Sequence, residues 1–381
     1  MTAERNEPRI FRGLKDVYFE RSDCTRIDGK AGELSYRGYS IHDLAAHSTF
    51  EETAYLLLNG ALPKTYELAA FDAGLKAERQ LPAPILDIIG AVRAGHPMDV
   101  LRTAVSALAA FDPQVTDNGR AATIAKAIRL TSQVPMIVAA HARLRVGKPV
   151  IAPEPALGHA ANFLWMLKGV QPSEDAAKLL DTDFVLHAEH GSNASSFAAR
   201  VVIGTDANIH AAMTAAIATL SGPAHGGAAE DVMQMATEIG DPENVAAYVK
   251  GKRAAKEAIT GFGHRVYRVE DPRARHMREG VKRLSLEMGE PRWYQILQGV
   301  VDEMKPYARH GVNVNVDFYS GVIYHLHGIP KDLFVPIFAV GRVPGWAVQV
   351  LEQQANNILI RPLTLYSGPE ARPYVPIAER A

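Results

Sequence analysis

Cysteine is nearly missing from this chain: Cys24 is the only one in 381 residues. One thiol excludes a disulfide within the monomer and any cysteine-cluster metal site, and it suits a reducing compartment such as the cytoplasm. An excess of either charge is missing too, with 41 Lys and Arg against 42 Asp and Glu, a net of −1. That balance gives the chain no general attraction to nucleic acid or to an anionic membrane. No uninterrupted apolar run approaches the roughly 18 residues of a membrane span. The N-terminal MTAERNEPRIFRGL lacks the apolar centre of a secretory signal. Repeats at solenoid periods and low-complexity tracts do not occur. Alternating apolar runs long enough for a sizeable sheet are also absent.

Several catalytic signatures are missing as well. HExxH, GxxxxGK[ST] and GxSxG do not occur, and GFGH at 261–264 lacks the third glycine of a dinucleotide-binding turn. This weighs against zinc proteolysis, P-loop phosphoryl transfer and serine-triad hydrolysis. HAEH spaces His187 and His190 three residues apart, a candidate metal pair on one helix face. It has no evident third ligand, so no metal is expected.

What is present is helical patterning. A chain of this length is too long for one simple core and predicts two lobes. Thr49 with Glu52 three places on has capping-box spacing for a helix ending at Gly60. Further helices are predicted over 65–79, 84–95, the segment opened by Pro97, and 122–144, where Pro135 is expected to kink or split the run. Alanine-rich helical segments follow at 174–203 and 207–220, and GELSYRG at 32–38 suits a short strand or hairpin. Glycine and proline then cluster at 221–227, 261–263, 311 and 328–330. They bracket a second helical segment, which predicts a large domain of 1–225 with 321–381 and a small domain of 226–320. Glycine turns gathered between lobes would line a crevice, where small ligands usually bind. The proline-rich SGPEARPYVPIAERA reads as an arm.

Four stretches combine titratable side chains with glycine or other small residues: LHAEHGSNAS, SGPAHGG, GFGHRVYRVEDPR and NVDFYSG. SGPAHGG taken alone also fits a helix-breaking loop with an incidental histidine, and HAEH fits two helix histidines with one in the core. The four stretches offer histidines, the aspartate of NVDFYSG, and Arg268 and Arg273, with Arg342 and Arg361 further along the chain. Arginine forks suit a di- or tricarboxylate. A carboxylate beside neutral imidazoles suits proton abstraction next to a carbonyl.

GPAHGG, GFGHRVYRVEDPR and NVDFYSG, in that order, resemble the citrate synthase family, which includes 2-methylcitrate synthases. GELSYRGYSIHDLA, FEETAYLLLNGALP, HPMDVLRTAVSAL, FAVGRVPGWAVQVLEQ and IRPLTLYSGP extend the resemblance from about residue 13 to 378. It implies a mainly α-helical homodimer, whose smaller inserted domain closes over the cleft. It also implies condensation of acetyl-CoA (or propionyl-CoA) with oxaloacetate, followed by thioester hydrolysis, with no permanently bound cofactor.

By the same resemblance Asp317 removes the α-proton, His225 hydrogen-bonds the forming enol, and His264 polarises the oxaloacetate carbonyl. His190, Arg273 and Arg342 hold the oxaloacetate carboxylates, and Arg361 reaches across from the partner subunit. Arg268 contacts the CoA phosphates, and Ala258, Ile259, Thr260, Gly261 and Phe262 form the adenine strip. The chain departs from the family pattern at Ala224, Ala229 and Leu363, where leucine, asparagine and arginine are usual. Those departures bear on acyl-CoA preference and on CoA affinity. The other readings are a 2-methylcitrate synthase, a citryl-CoA-cleaving relative, and a non-catalytic oxaloacetate- or CoA-binding paralogue.

Overall fold

A computed structural model describes residues 8–380. Residues 1–7, part of the stretch read for a secretory signal, lie outside the described residues. Among the described residues the only sheet is a three-stranded antiparallel one, Thr25–Asp28, Glu33–Tyr36 and Tyr39–Ser40. GELSYRG thus supplies the middle strand. Everything else of regular structure is helical, as the sequence patterning predicts.

The chain folds around the Phe334–Ala355 helix. Its length and apolar composition would suffice to cross a membrane, but 94% of its apolar window is buried inside the protein. The Arg120–Leu144, Ala194–Ile203, Ile209–Leu220, Phe50–Asn59 and Glu174–His187 helices surround it. The expected caps form: Thr49 Oγ1 accepts from the Glu52 N–H at 3.2 Å, Gly60 ends that helix at φ +93°, and Pro97 opens the Pro97–Leu108 helix.

Pro135 does not split its helix, which runs unbroken from Arg120 to Leu144. A proline there removes one helical hydrogen bond. Burial of most of the surrounding turns against neighbouring helices holds the helix together. The 174–203 segment, by contrast, is two helices, Glu174–His187 and Ala194–Ile203. Gly191 at φ +57° turns the chain between them, and Asn193 caps the second by accepting from the Ser196 N–H at 3.1 Å.

A second group of helices packs mainly on itself: Ala228–Ile239, Val245–Ala254, Ala274–Glu287, Pro291–Met304 and Asp317–Leu326. It meets the first group through Ala228–Ile239 against the central helix and Ala274–Glu287 against Glu174–His187. Beyond Ala355 the chain is extended and exposed to residue 380, apart from a turn at Ile377–Glu379. This is the arm expected from its prolines.

Candidate active site

The turn between Glu174–His187 and Ala194–Ile203 is built on Glu189, which is completely buried. Its carboxylate accepts from Gly191 N–H at 2.6 Å, Gln349 Nε2–H at 2.8 Å and the Thr25 hydroxyl. Tyr36 adds a hydrogen bond from its hydroxyl to the Glu189 carbonyl at 2.8 Å. These contacts fix the loop that carries His190 and Ser195. The candidate metal pair does not survive this geometry. The helix ends at His187, so His190 lies beyond it in the turn, and His187 Nδ1 is held by Asp183, 2.9 Å from its carbonyl and 3.1 Å from Oδ1.

His225 sits in the glycine-rich turn before Ala228–Ile239. The Ser195 backbone N–H (3.3 Å) and hydroxyl (2.9 Å) both approach its Nε2, and Trp346 Nε1–H donates to that hydroxyl at 3.0 Å. A backbone N–H can only donate. Nε2 is therefore the accepting nitrogen, and the neutral ring carries its proton on Nδ1. Burial, helped by the Arg342 charge, lowers the His225 pKa to about 4, so the ring is neutral near pH 7.

His264 is held the opposite way round. Val266 and Tyr267 donate backbone N–H groups to its Nδ1 at 3.0 and 3.2 Å. That leaves the proton on Nε2. Burial and then Arg273 lower its pKa to about 4, with Asp271 opposing. The segment carrying His264 is joined to the approach to Asp317 by a Phe262–Val314 bridge. Gly263 N–H to the Asn313 carbonyl (2.7 Å) and Asn315 N–H to the Gly261 carbonyl (2.9 Å) complete that join.

Asp317 is the first residue of Asp317–Leu326. Among the described residues its carboxylate accepts no hydrogen bond from a side chain. Burial raises its pKa, with His187 and Arg273 opposing. The helix N-terminus also favours the ionised form.

Two buried arginines complete the centre. Arg273 Nε and Nη2 donate to Asp271 at 3.0 and 2.7 Å, which holds the fork with Nη1 uncommitted. Arg342 lies on the central helix and is 1% exposed. Its Nε donates to the His187 carbonyl, while its terminal nitrogens have no protein hydrogen bond among the described residues. Burial lowers its pKa to about 10, with Glu189 opposing. A guanidinium at the middle of an apolar helix with four of its five N–H donors unspent among the described residues is a site prepared for an anion. His190 is pushed well below its ordinary pKa by burial and by Arg273, and its Nε2 lies 3.1 Å from the Tyr267 hydroxyl. The His190 and His264 rings meet edge to face at 5.4 Å.

The remaining predicted residues are more peripheral. Ala258 and Arg268 are exposed, Thr260 and Phe262 half-buried, and Ile259 and Gly261 buried. Arg361 is exposed on the arm, and among the described residues it makes no hydrogen bond with the other site residues. Sequence reading gave no roles to Ser195, Glu189, Tyr267, Asp271 or Trp346. All five stand inside quoted stretches, but apart from Asp271, which pairs with Arg273 two residues on, their partners across the fold lie up to 164 residues away, so spacing carried no signal. A cavity of about 730 Å³ lies elsewhere, lined by Glu51, His159 and Asp181 among others, and contains none of the predicted residues.

The family model described as citrate synthase, C-terminal domain, matches residues 13–363. A citrate synthase of Acidithiobacillus ferridurans is 44% identical over 98% of this chain and 99% of its own length. A 2-methylcitrate synthase of Mycobacterium tuberculosis is 42% identical, over 96% of this chain and 92% of its own. Among solved structures, the Thermoplasma acidophilum citrate synthase in ternary complex with carboxymethyl coenzyme A and oxaloacetate is similar at a TM-score of 0.92. That match has 32% identity and covers 98% of this chain and 100% of the other.

Proposed function

The chain belongs to the citrate synthase family, and from that premise we propose how its residues condense acetyl-CoA with oxaloacetate and hydrolyse the thioester to citrate and CoA. The observation that carries the reading is the pair of neutral histidines fixed in opposite tautomers, Nδ1–H on His225 and Nε2–H on His264. Each offers one donor to a developing oxyanion.

In the first step an Asp317 carboxylate oxygen takes an α-proton from the acetyl methyl group. The C–H electron pair becomes the C=C of the enolate as the thioester C=O electrons move to oxygen, which accepts a hydrogen bond from His225 Nδ1–H. The enolate carbon then attacks the oxaloacetate carbonyl carbon. The C=O electrons move to oxygen, which His264 Nε2–H stabilises and protonates, and the ring is made neutral again by the proton that Asp317 gives up through solvent. Water then adds to the thioester, the C–S bond breaks, one water proton goes to sulfur and the other to solvent, and CoA leaves as the thiol. Donors preorganised in a water-poor site are worth most where charge develops, as it does in the first two steps.

Arg273, Arg342 and His190 hold the two oxaloacetate carboxylates. Arg268 and the 258–262 segment take the CoA phosphates and adenine. Residues 226–320 act as a small domain closing on 1–225 and 321–381, with the Asp317–Leu326 helix spanning the junction. The enzyme acts as a homodimer in which Arg361 completes the partner's site. The exposure of Leu363 (87%), Tyr366 (75%) and Tyr374 (82%) along the same arm supports a protein surface as its resting place.

One assay tests this reading: free-thiol release with oxaloacetate from acetyl-CoA and from propionyl-CoA, on the wild type and Asp317→Asn. The wild type is expected to favour acetyl-CoA in kcat/KM. Asp317→Asn is expected to lose about 100-fold or more in kcat while still binding oxaloacetate. Full turnover in Asp317→Asn would remove the assigned base. A propionyl-CoA preference would make the chain a 2-methylcitrate synthase.

A further inference from the structure

We propose that Gly29, at the tip of the N-terminal β-hairpin, is a positioning residue that secures, through the Val266–Tyr267 peptide, one of the two backbone hydrogen bonds fixing the tautomer of His264; the other is the Val266 N–H at 3.0 Å. The inference rests on the role given to His264 above. Gly29 does not have positive φ, so its backbone would accept another residue without conformational strain. What excludes a side chain is proximity. A Cβ there would lie well inside contact distance of the Val266 carbonyl oxygen, 2.8 Å from the carbonyl carbon and 3.0 Å from Val266 Cγ1.

The Val266 carbonyl and the Tyr267 N–H are the two ends of one planar peptide unit. Its oxygen faces Gly29, and its N–H donates to His264 Nδ1 at 3.2 Å. Tilting that plane to make room for a methyl group rotates the N–H away from the ring. The hairpin tip also grips the next residue, since Arg268 N–H donates to the Gly29 carbonyl at 2.7 Å. Gly32 also approaches this loop, with a Cβ position 2.6 Å from the Val269 Cγ2 methyl, but its φ of +72° favours glycine on its own.

The loop, not the hairpin, must yield to a clash. The tip is braced by Asp28 Oδ1, which accepts from the Lys30 and Ala31 N–H groups at 2.9 Å each, and by the Asp28–Glu33 strand pair. Residues 265–269 have no regular structure, and Val266 and Val269 are about two-fifths exposed. The hairpin's position is set in turn from the oxaloacetate side, because Thr25 binds Glu189 under the His190 turn. A contact far from any reacting atom is thereby tied to which nitrogen of His264 carries the proton.

The experiment is ¹⁵N NMR of protein labelled only at histidine, with His264→Gln assigning the signals, combined with thiol-release kinetics. Wild type is expected to show His264 with Nδ1 unprotonated and Nε2 protonated. Folded Gly29→Ala is expected to shift or exchange-broaden these signals and to lose about 10- to 100-fold in kcat. A second variant removes the support without adding bulk. Replacing Gly29–Gly32 by Asn-Gly keeps the Asp28–Glu33 pair and withdraws the tip, and the same spectral change is expected. Protonated Nδ1 in the wild type would overturn the inference. So would unchanged His264 signals and kcat in either folded variant, or failure of both variants to fold, which would assign Gly29 to the general fold. Full turnover in His264→Gln would instead sink the role of His264 and leave the ring geometry standing.

Discussion

Asp317, His225 and His264 owe their protonation states chiefly to burial, which disfavours charge and so moves acid and base in opposite directions. Burial raises the aspartate and drives both histidines down to about 4. The consequence is a pH profile in which any acid limb above about pH 4 belongs to Asp317 rather than to the histidines. Asp317 works only when deprotonated, so kcat should fall as pH falls through its raised pKa. Both histidines keep their required neutral form well below pH 6.5. We predict an acid limb that disappears in Asp317→Asn residual activity. An inflection near 6.5 persisting in that variant would show that a histidine charges in the working range. The candidate site residues themselves were legible in the sequence because glycine, histidine and aspartate mark their motifs. Ser195 was not, because its partner His225 lies 30 residues on and only the fold aligns its N–H with that ring.

At the level of elements, the site depends on backbones that approach without side chains between them. Gly345 on the central helix faces the Ala188–Glu189 backbone, and a Cβ there would stand 3.1 Å from both the Ala188 carbonyl carbon and Glu189 Cα. Gly341, one turn earlier, meets Phe184 in the same way. Gly345→Ala should therefore lower stability by about 1–3 kcal/mol through overpacking and raise KM for oxaloacetate by displacing the His190 turn. Thermal unfolding and thiol-release kinetics check the two halves; an unchanged Tm and KM would mean that the turn yields freely. The caps at Thr49 and Pro97 and the GELSYRG strand could be read locally, since each signal spans a few residues. The break at 188–193 could not, because Glu189 stabilises it through Thr25 and Gln349, far off in the chain. Pro135 misleads for the same reason: its local cost is fixed by chemistry, while the packing that offsets it comes from other helices.

On the scale of the whole molecule, the exposed arm after Ala355 is the part that one chain leaves unexplained. It presents apolar side chains to solvent beside Arg361, and an isologous dimer would bury them while completing two sites at once. Removal of residues 356–381 should weaken or abolish the dimer in sedimentation and sharply reduce turnover. An active species at monomer mass would contradict the shared site. Near-neutral net charge and the single cysteine ruled out classes of function at this scale, but they named none.

The sequence by itself determined the helical class, the small hairpin, the motif histidines and aspartate, and the family, because local propensities and short motifs are written in neighbouring residues. Only the tertiary structure decided which ring nitrogen of each histidine is protonated, which arginine donors stay free, and why Gly29 carries no side chain. Those properties depend on burial and on contacts between segments tens to hundreds of residues apart, and no local pattern encodes a distance across the fold.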